Sequence, residues 1–288
     1  MRILHINLTK IISIICLIIM STAHAMTKYD LKNNFISYTD VGSGKSLVLI
    51  HAFPTDLRLW DPQQISLQKH FRVISLDLWG FGKSTLADGE TITMEEYADE
   101  VNKLLQQLKI SKAIISGESM GGYVALAFLQ KYPDQVEGLV LSDTQSIADS
   151  EETKAKREAT AVDVLENGTA TFISNFLPKA LSPNASDETK LFLQTIVESQ
   201  SATAIASASR GMALREDTSN VLARSMVPIL IMTGDLDVLI SPEQSRLMHS
   251  LSQNSKLIVL QNAGHLSSLE QPEQWNKAVI DMFSQNLK

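Results

Sequence analysis

Seven short β-branched runs recur along this chain with helix-period segments between them, and several are apolar at nearly every position. They fall at 35–38, 47–50, 72–76, 113–116, 138–142, 229–233 and 256–260. A strand that is apolar on both faces must be covered on both, which is the condition of a parallel sheet between helices. Alternating strands and helices point the same way, because parallel neighbours need long crossovers. The clearest helical pattern covers 94–108, with Thr93 and Glu96 at capping-box spacing. Further helical patterns follow Ser119 and Pro242, and the last covers 274–283.

One stretch breaks the alternation. Between 147 and 225 no strand pattern appears, and helix-period pieces rich in Ala, Glu and Lys are separated by Gly168, Pro178 and Ser182-Pro183. The expectation is an α/β core formed by 26–146 and 226–288, interrupted by a helical insertion at 147–225. A length of 288 residues suits one sheet with such an insertion.

The N-terminus belongs to another class of segment. Arg2 and Lys10 bracket a polar start, residues 11–20 are apolar except for Ser13, and Ala23-His24-Ala25 follows as a small-x-small pattern. This reads as a signal peptide over 1–25, with export to the periplasm or the medium. The apolar run is too short to span a bilayer, so no stable membrane anchor is expected. Cleavage after Ala25 removes Cys16, the one cysteine, which excludes disulfides and a cysteine nucleophile. A formal net charge of −7 without a Lys/Arg stripe disfavours nucleic acid as a partner.

The run 113–116 leads directly into Gly117-Glu118-Ser119-Met120-Gly121, and a helical pattern starts at once. This is G-x-S-x-G in the setting its chemistry requires, strand then sharp turn then helix. The serine needs a strained backbone to lift its hydroxyl clear, and the flanking positions leave little room for a Cβ. Ser119 is therefore the candidate nucleophile.

A serine hydroxyl needs a base, usually a histidine held by a carboxylate. Of six histidines, His5 and His24 lie in the signal segment. His51 and His70 precede the serine, whereas an elbow of this kind is followed in chain order by acid and then base. His249 lies in a helical pattern, which leaves His265, in a loop beyond the 256–260 run. The acid belongs after a strand between Ser119 and His265. Asp237 is the candidate, with Asp235 beside it and Asp143 after the 138–142 run as alternatives.

An elbow of this kind also takes one oxyanion donor from the residue after the nucleophile and another from the loop after an early strand. Those donors are the backbone N–H groups of Met120 and Phe53, the latter in His51-Ala52-Phe53-Pro54. Asp77-Leu-Trp-Gly-Phe-Gly-Lys-Ser84 is rich in glycine but lacks phosphate-loop spacing, and reads as a structural turn. No zinc-ligand spacing is present, and neither metal nor cofactor is expected.

Together, His51-Ala-Phe-Pro, Asp77-x-x-Gly-x-Gly-x-Ser84, Gly117-x-Ser-x-Gly121, Gly234-x-x-Asp237 and Ala263-Gly-His265 resemble the α/β-hydrolase superfamily over nearly the whole chain beyond residue 25. Within it the chain is similar to the esterase, lactonase and C–C hydrolase group that includes 3-oxoadipate enol-lactonases. The nearest local match is Thr55-Asp-Leu-Arg-Leu-Trp60-Asp-Pro-Gln63. The resemblance implies a mostly parallel eight-stranded sheet with a helical cap, and favours Asp237 as the acid. It departs at His51-Ala52, where the family commonly has His-Gly. It implies hydrolysis of a small-molecule ester or lactone through an acyl-enzyme on Ser119. C–C hydrolysis, perhydrolysis and a non-catalytic binding role on the same scaffold are the rival readings. Phe172, Phe176, Leu177 and Phe192 suit either an apolar lid or the insertion's own core.

Overall fold

The computed structural model describes residues 27–31 and 34–284, so the expected signal segment 1–25 lies outside the described residues. The strands are β1 (Thr27–Leu31), β2 (Asn34–Gly42), β3 (Ser46–Ile50), β4 (Arg72–Leu76), β5 (Ala113–Glu118), β6 (Val136–Ser142), β7 (Ile229–Gly234) and β8 (Ser255–Leu260). They form one sheet in the order β1-β2-β4-β3-β5-β6-β7-β8. Pairing is parallel from β4 through β8, while β2 runs antiparallel to both β1 and β4.

The apolar strands are covered on both faces as their composition requires. Val48, Ile50, Ile115 and Ile231 pack with α2 (Met94–Gln107) and α3 (Met120–Lys131). Their neighbours Leu47, Leu49, Ile114 and Leu230 point the other way, toward Leu67, Trp275 and Val279. Thr93 caps α2 as its spacing predicts, with the Glu96 carboxylate accepting the Thr93 N–H at 2.7 Å. A 3₁₀ turn at Leu57–Trp60 and a short helix, α1 (Asp61–Leu67), were not expected. They fold because Trp60 is driven onto Trp275, with ring centroids 5.4 Å apart.

Several boundaries differ from the sequence expectation. β1 was not foreseen, and β2 runs well beyond 35–38, because its polar residues hide a strand held by antiparallel backbone pairing. β5 continues through Gly117 to Glu118, an acid no apolar pattern would include.

Between β6 and β7 stand five helices: α4 (Glu151–Asn167), α5 (Ala170–Ala180), α6 (Asp187–Glu198), α7 (Ala202–Leu214) and α8 (Ser219–Arg224). Pro178 does not separate two of them but sits in the last turn of α5, where it forfeits only one helix hydrogen bond. α4 packs on α7 through Ala161, Val164, Ile205 and Ala206. The inserted helices are tied to the core by Arg215, whose guanidinium pairs with Asp149 at 2.8 Å and lies 4.0 Å from the Tyr123 ring of α3. Beyond β7 come α9 (Pro242–Leu251), α10 (Ser267–Glu270) and α11 (Pro272–Phe283). Among the described residues no helix is long and apolar enough to cross a membrane.

Candidate active site

At the carboxyl end of β5 the chain turns sharply at Ser119 into α3. Ser119 has φ +55° and ψ −115°, a backbone state that costs a residue with a Cβ about 1–3 kcal/mol. The surroundings over-determine it. Its N–H donates to Ser142 O at 2.8 Å, and its carbonyl accepts from Gly122 N–H at 2.9 Å and Thr144 Oγ1 at 2.8 Å. The two motif glycines make the turn possible: a Cβ on Gly117 would stand 2.0 Å from Gly121 O, and one on Gly121 would stand 2.2 Å from Ile50 O. The first turn of α3 thus seats directly on the end of β3, where the 51–54 loop departs.

The loops after β7 and β8 meet at a similarly bare contact, since a Cβ on Gly234 would lie 2.2 Å from Gly264 O. This brings Asp237 and His265 together. His265 Nδ1 donates to Asp237 Oδ2 at 2.8 Å, and Asp237 Oδ1 accepts the N–H groups of Leu239 and Ile240 at 2.8 and 2.9 Å. With its proton on Nδ1, the imidazole offers Nε2 as acceptor to the Ser119 hydroxyl at 2.7 Å. The Asp237 side chain is wholly buried, while Ser119 keeps 7% of its surface open. Such a chain can take the proton of an attacking hydroxyl and stabilise the imidazolium that results.

Neither alternative acid hydrogen-bonds to His265. Asp235 Oδ1 instead accepts the Ala263 N–H at 3.3 Å, bracing the histidine loop. Asp143, in the left-handed region at φ +48°, accepts from Gly234 N–H at 2.8 Å and from the Ser267 hydroxyl. Burial, joined by the charges of Glu118 and Asp237, pushes the Asp143 carboxyl well above the usual range.

The N–H groups of Phe53 and Met120 donate to no protein acceptor among the described residues. The loop bearing Phe53 is held by Thr55, whose N–H and hydroxyl both donate to Ala52 O, at 2.9 and 2.8 Å. His51 braces it further, donating from Nδ1 to Ala52 O at 2.9 Å and accepting the Leu78 N–H on Nε2 at 3.1 Å. Burial lowers its pKa to about 4, so it is a neutral strut. The Asp77–Ser84 turn is structural too. The Asp77 carboxylate accepts Leu57 N–H and Lys83 N–H at 2.8 and 2.9 Å, and burial raises it to about 6.

Three contributors carry no sequence motif of their own. Gln200 donates to Asp56 at 2.8 Å and accepts the Gly82 N–H at 3.2 Å, joining the insertion to two core loops. Glu270 accepts from Gly264 N–H at 2.6 Å and from the Ser182 hydroxyl at 2.6 Å. Glu118, the variable residue before the serine, is fully buried and accepts from Ser268 N–H at 3.1 Å and Ser268 Oγ at 2.5 Å. An acid at the end of an apolar strand was the available signal for it. Among the described residues, no cluster of three or more His, Cys, Asp or Glu side chains is arranged to hold a metal ion.

Phe172 of α5 meets Phe53 edge-on, centroids 5.7 Å apart, and stacks on Phe176 at 5.9 Å. Those two rings, with Asn175, Lys179 and Leu239, line a surface groove of 290 Å³. Phe172, Phe176, Leu177 and Phe192 are also partly buried against the core, so they serve the insertion's packing as well.

Residues 45–272 match the family described as the alpha/beta hydrolase fold. A 3-oxoadipate enol-lactonase of Acinetobacter baylyi is 28% identical, over 83% of this chain and 87% of its own. A pimeloyl-[acyl-carrier protein] methyl ester esterase of Sodalis glossinidius is 30% identical, over 85% and 95%. The solved structure of a thermophilic esterase from Thermogutta terrifontis superposes with a TM-score of 0.84 at 32% identity, covering 89% of this chain and 96% of that one. The matched family spans most of the chain and agrees with the sheet order and the turn at Ser119: the chain belongs to the α/β-hydrolase fold family, and it is a hydrolase.

Proposed function

We propose that the protein hydrolyses a carboxylic ester or lactone of a small molecule through an acyl-enzyme on Ser119. The observation that carries this reading is the unbroken run of hydrogen bonds from Ser119 Oγ through His265 to Asp237. In the first step the Ser119 oxygen attacks the carbonyl carbon while His265 Nε2 takes its proton. The N–H groups of Phe53 and Met120 hold the oxyanion, fixed before the charge develops. His265 then protonates the leaving alkoxide. In the second step it takes a proton from water, the hydroxide attacks the acyl carbon, and His265 returns that proton to Ser119 Oγ as the acyl–oxygen bond breaks. The enol-lactonase and methyl ester esterase among the relatives support this bond class. The same reading takes 147–225 as a cap over the site and 1–25 as an export signal.

The test is turnover of short p-nitrophenyl esters, with a fluorophosphonate probe followed by peptide mapping. Hydrolysis, and labelling at Ser119 that Ser119→Ala abolishes, is expected. A wild-type protein that neither turns over esters nor labels at Ser119 refutes the reading.

A further inference from the structure

Asp237 fixes the tautomer and direction of the His265 ring, but a base 2.7 Å from Ser119 Oγ also needs its backbone held in place. The peptide groups on either side of His265 are fastened to the same stretch of the inserted helices. The Leu266 N–H donates to Ala180 O at 3.1 Å, and the Gly264 N–H donates to Glu270 Oε1 at 2.6 Å. Glu270, the last residue of α10, carries the second hold onward. Its carboxylate also accepts the Ser182 hydroxyl on Oε2 at 2.6 Å, and the Ser182 N–H at 3.0 Å on Oε1 and 3.1 Å on Oε2. Gly264 lets the two stretches lie backbone against backbone, since a Cβ there would stand 2.5 Å from Ser182 N. Ser182, Gly264 and His265 are all buried at this junction, with Glu270 half-buried beside them.

We propose that Glu270 is a positioning residue for the base: by bonding Gly264 and Ser182 together, it fixes the His265 backbone against residues 180–182 of the insertion. This rests on the reading of His265 as the base of Ser119. A carboxylate suits the task, because its two oxygens can accept several donors at once and each bond to an ionised acceptor is stronger than a neutral one. Glu270 neither gives nor takes a proton in the cycle; it acts on distance. Misplacing a reacting group by about 1 Å can cost on the order of a hundredfold in rate. Ala180 ends α5, so a displacement at that end of the helix reaches His265 through the bond to Leu266 and through Glu270.

The experiment measures kcat and KM on p-nitrophenyl acetate, the rate of fluorophosphonate labelling, and the downfield NMR signal of the proton between His265 and Asp237. Glu270→Ala frees Gly264 from Ser182; kcat is expected to fall about a hundredfold, with KM held within about twofold. Labelling slows in parallel and the proton signal moves, neither of which follows from a merely structural contact. Glu270→Gln keeps an acceptor for Gly264 and restores kcat to within about fivefold of wild type. Should Glu270→Ala not fold, Ser182→Ala carries the test. It removes one bond to the carboxylate, and kcat is expected to fall about tenfold at unchanged KM. A folded Glu270→Ala with kcat and proton signal unchanged, a Glu270→Gln as slow as Glu270→Ala, or an unchanged kcat in Ser182→Ala overturns the proposal alone. A wild type that neither turns over the ester nor labels at Ser119 overturns it together with the reading beneath it.

Discussion

Replacing Asp237 with Asn tests the assignment of the acid more sharply than deleting it, because the geometry dictates which way the amide must face. Asp237 Oδ1 accepts two backbone N–H groups, from Leu239 and Ile240. An NH₂ placed there would set donors against donors, so the Asn oxygen takes that side and its NH₂ faces His265 Nδ1 across the present 2.8 Å contact. His265 must then accept at Nδ1 and carry its proton on Nε2, where it cannot receive the proton of Ser119. The loss of the correct tautomer is expected to lower kcat/KM by about 10⁴-fold, or about 5 kcal/mol of transition-state stabilisation. Stability should barely move, since all three hydrogen bonds are conserved in count; a change within about 1 kcal/mol is expected. The assays are ester hydrolysis at neutral pH and thermal unfolding, with Asp235→Asn as the companion variant. Retention of more than about a tenth of the activity by Asp237→Asn, or an equal loss in Asp235→Asn, refutes the assignment.

Three further outcomes follow from the same contacts. Glu118 binds a proton in the folded state up to about pH 7 and, unfolded, only to its ordinary value, so its contribution to stability is lost as pH rises between those points. His51, lowered to about 4, works in the opposite sense below its ordinary value, so the cleaner measure is a difference. Urea unfolding should show Glu118→Gln gaining on wild type from pH 4.5 to 7.5, by on the order of 3 kcal/mol. Gly121→Ala places a methyl 2.2 Å from Ile50 O, and calorimetry should find it destabilised by about 3 kcal/mol or more, with labelling of Ser119 lost. Gln200→Ala leaves the Gly82 N–H without its acceptor and Asp56 with Arg58 alone; a loss of about 1–2 kcal/mol in unfolding free energy is expected.

What could be read from the residues alone follows physical locality. The apolar strands, the Thr93 cap and the turn around Ser119 are dictated by side chains close in sequence. His265 was reachable by elimination, because chain order and strand ends leave few positions. Asp237 could be separated from Asp235 and Asp143 only by orientation: three acids stand after two strands, and the fold aims one of them at the imidazole. The partners of Glu118 and Gln200 were invisible for a different reason. Ser268 and Asp56 lie 150 and 144 residues away from them, and no local pattern encodes such a pairing. β1 and the full length of β2 were missed because antiparallel pairing there rests on backbone groups that every sequence carries.

The inserted helices look like an exchangeable module, entering and leaving the core between consecutive strands. Their fastenings argue otherwise. Ala180 O accepts the Leu266 N–H at 3.1 Å, Ser182 is held by Glu270, Gln200 grips Asp56, and Arg215 lies over Tyr123. Two of those core partners, Leu266 and Glu270, flank the residues that follow His265. A chimera that transplants 147–225 from a relative would thus inherit mismatched anchors beside its own histidine, unless positions 56, 123, 266 and 270 travel with the graft. Exchanges in this lineage should then be co-inherited across the two segments, and the histidine loop belongs mechanically as much to the insertion as to the sheet.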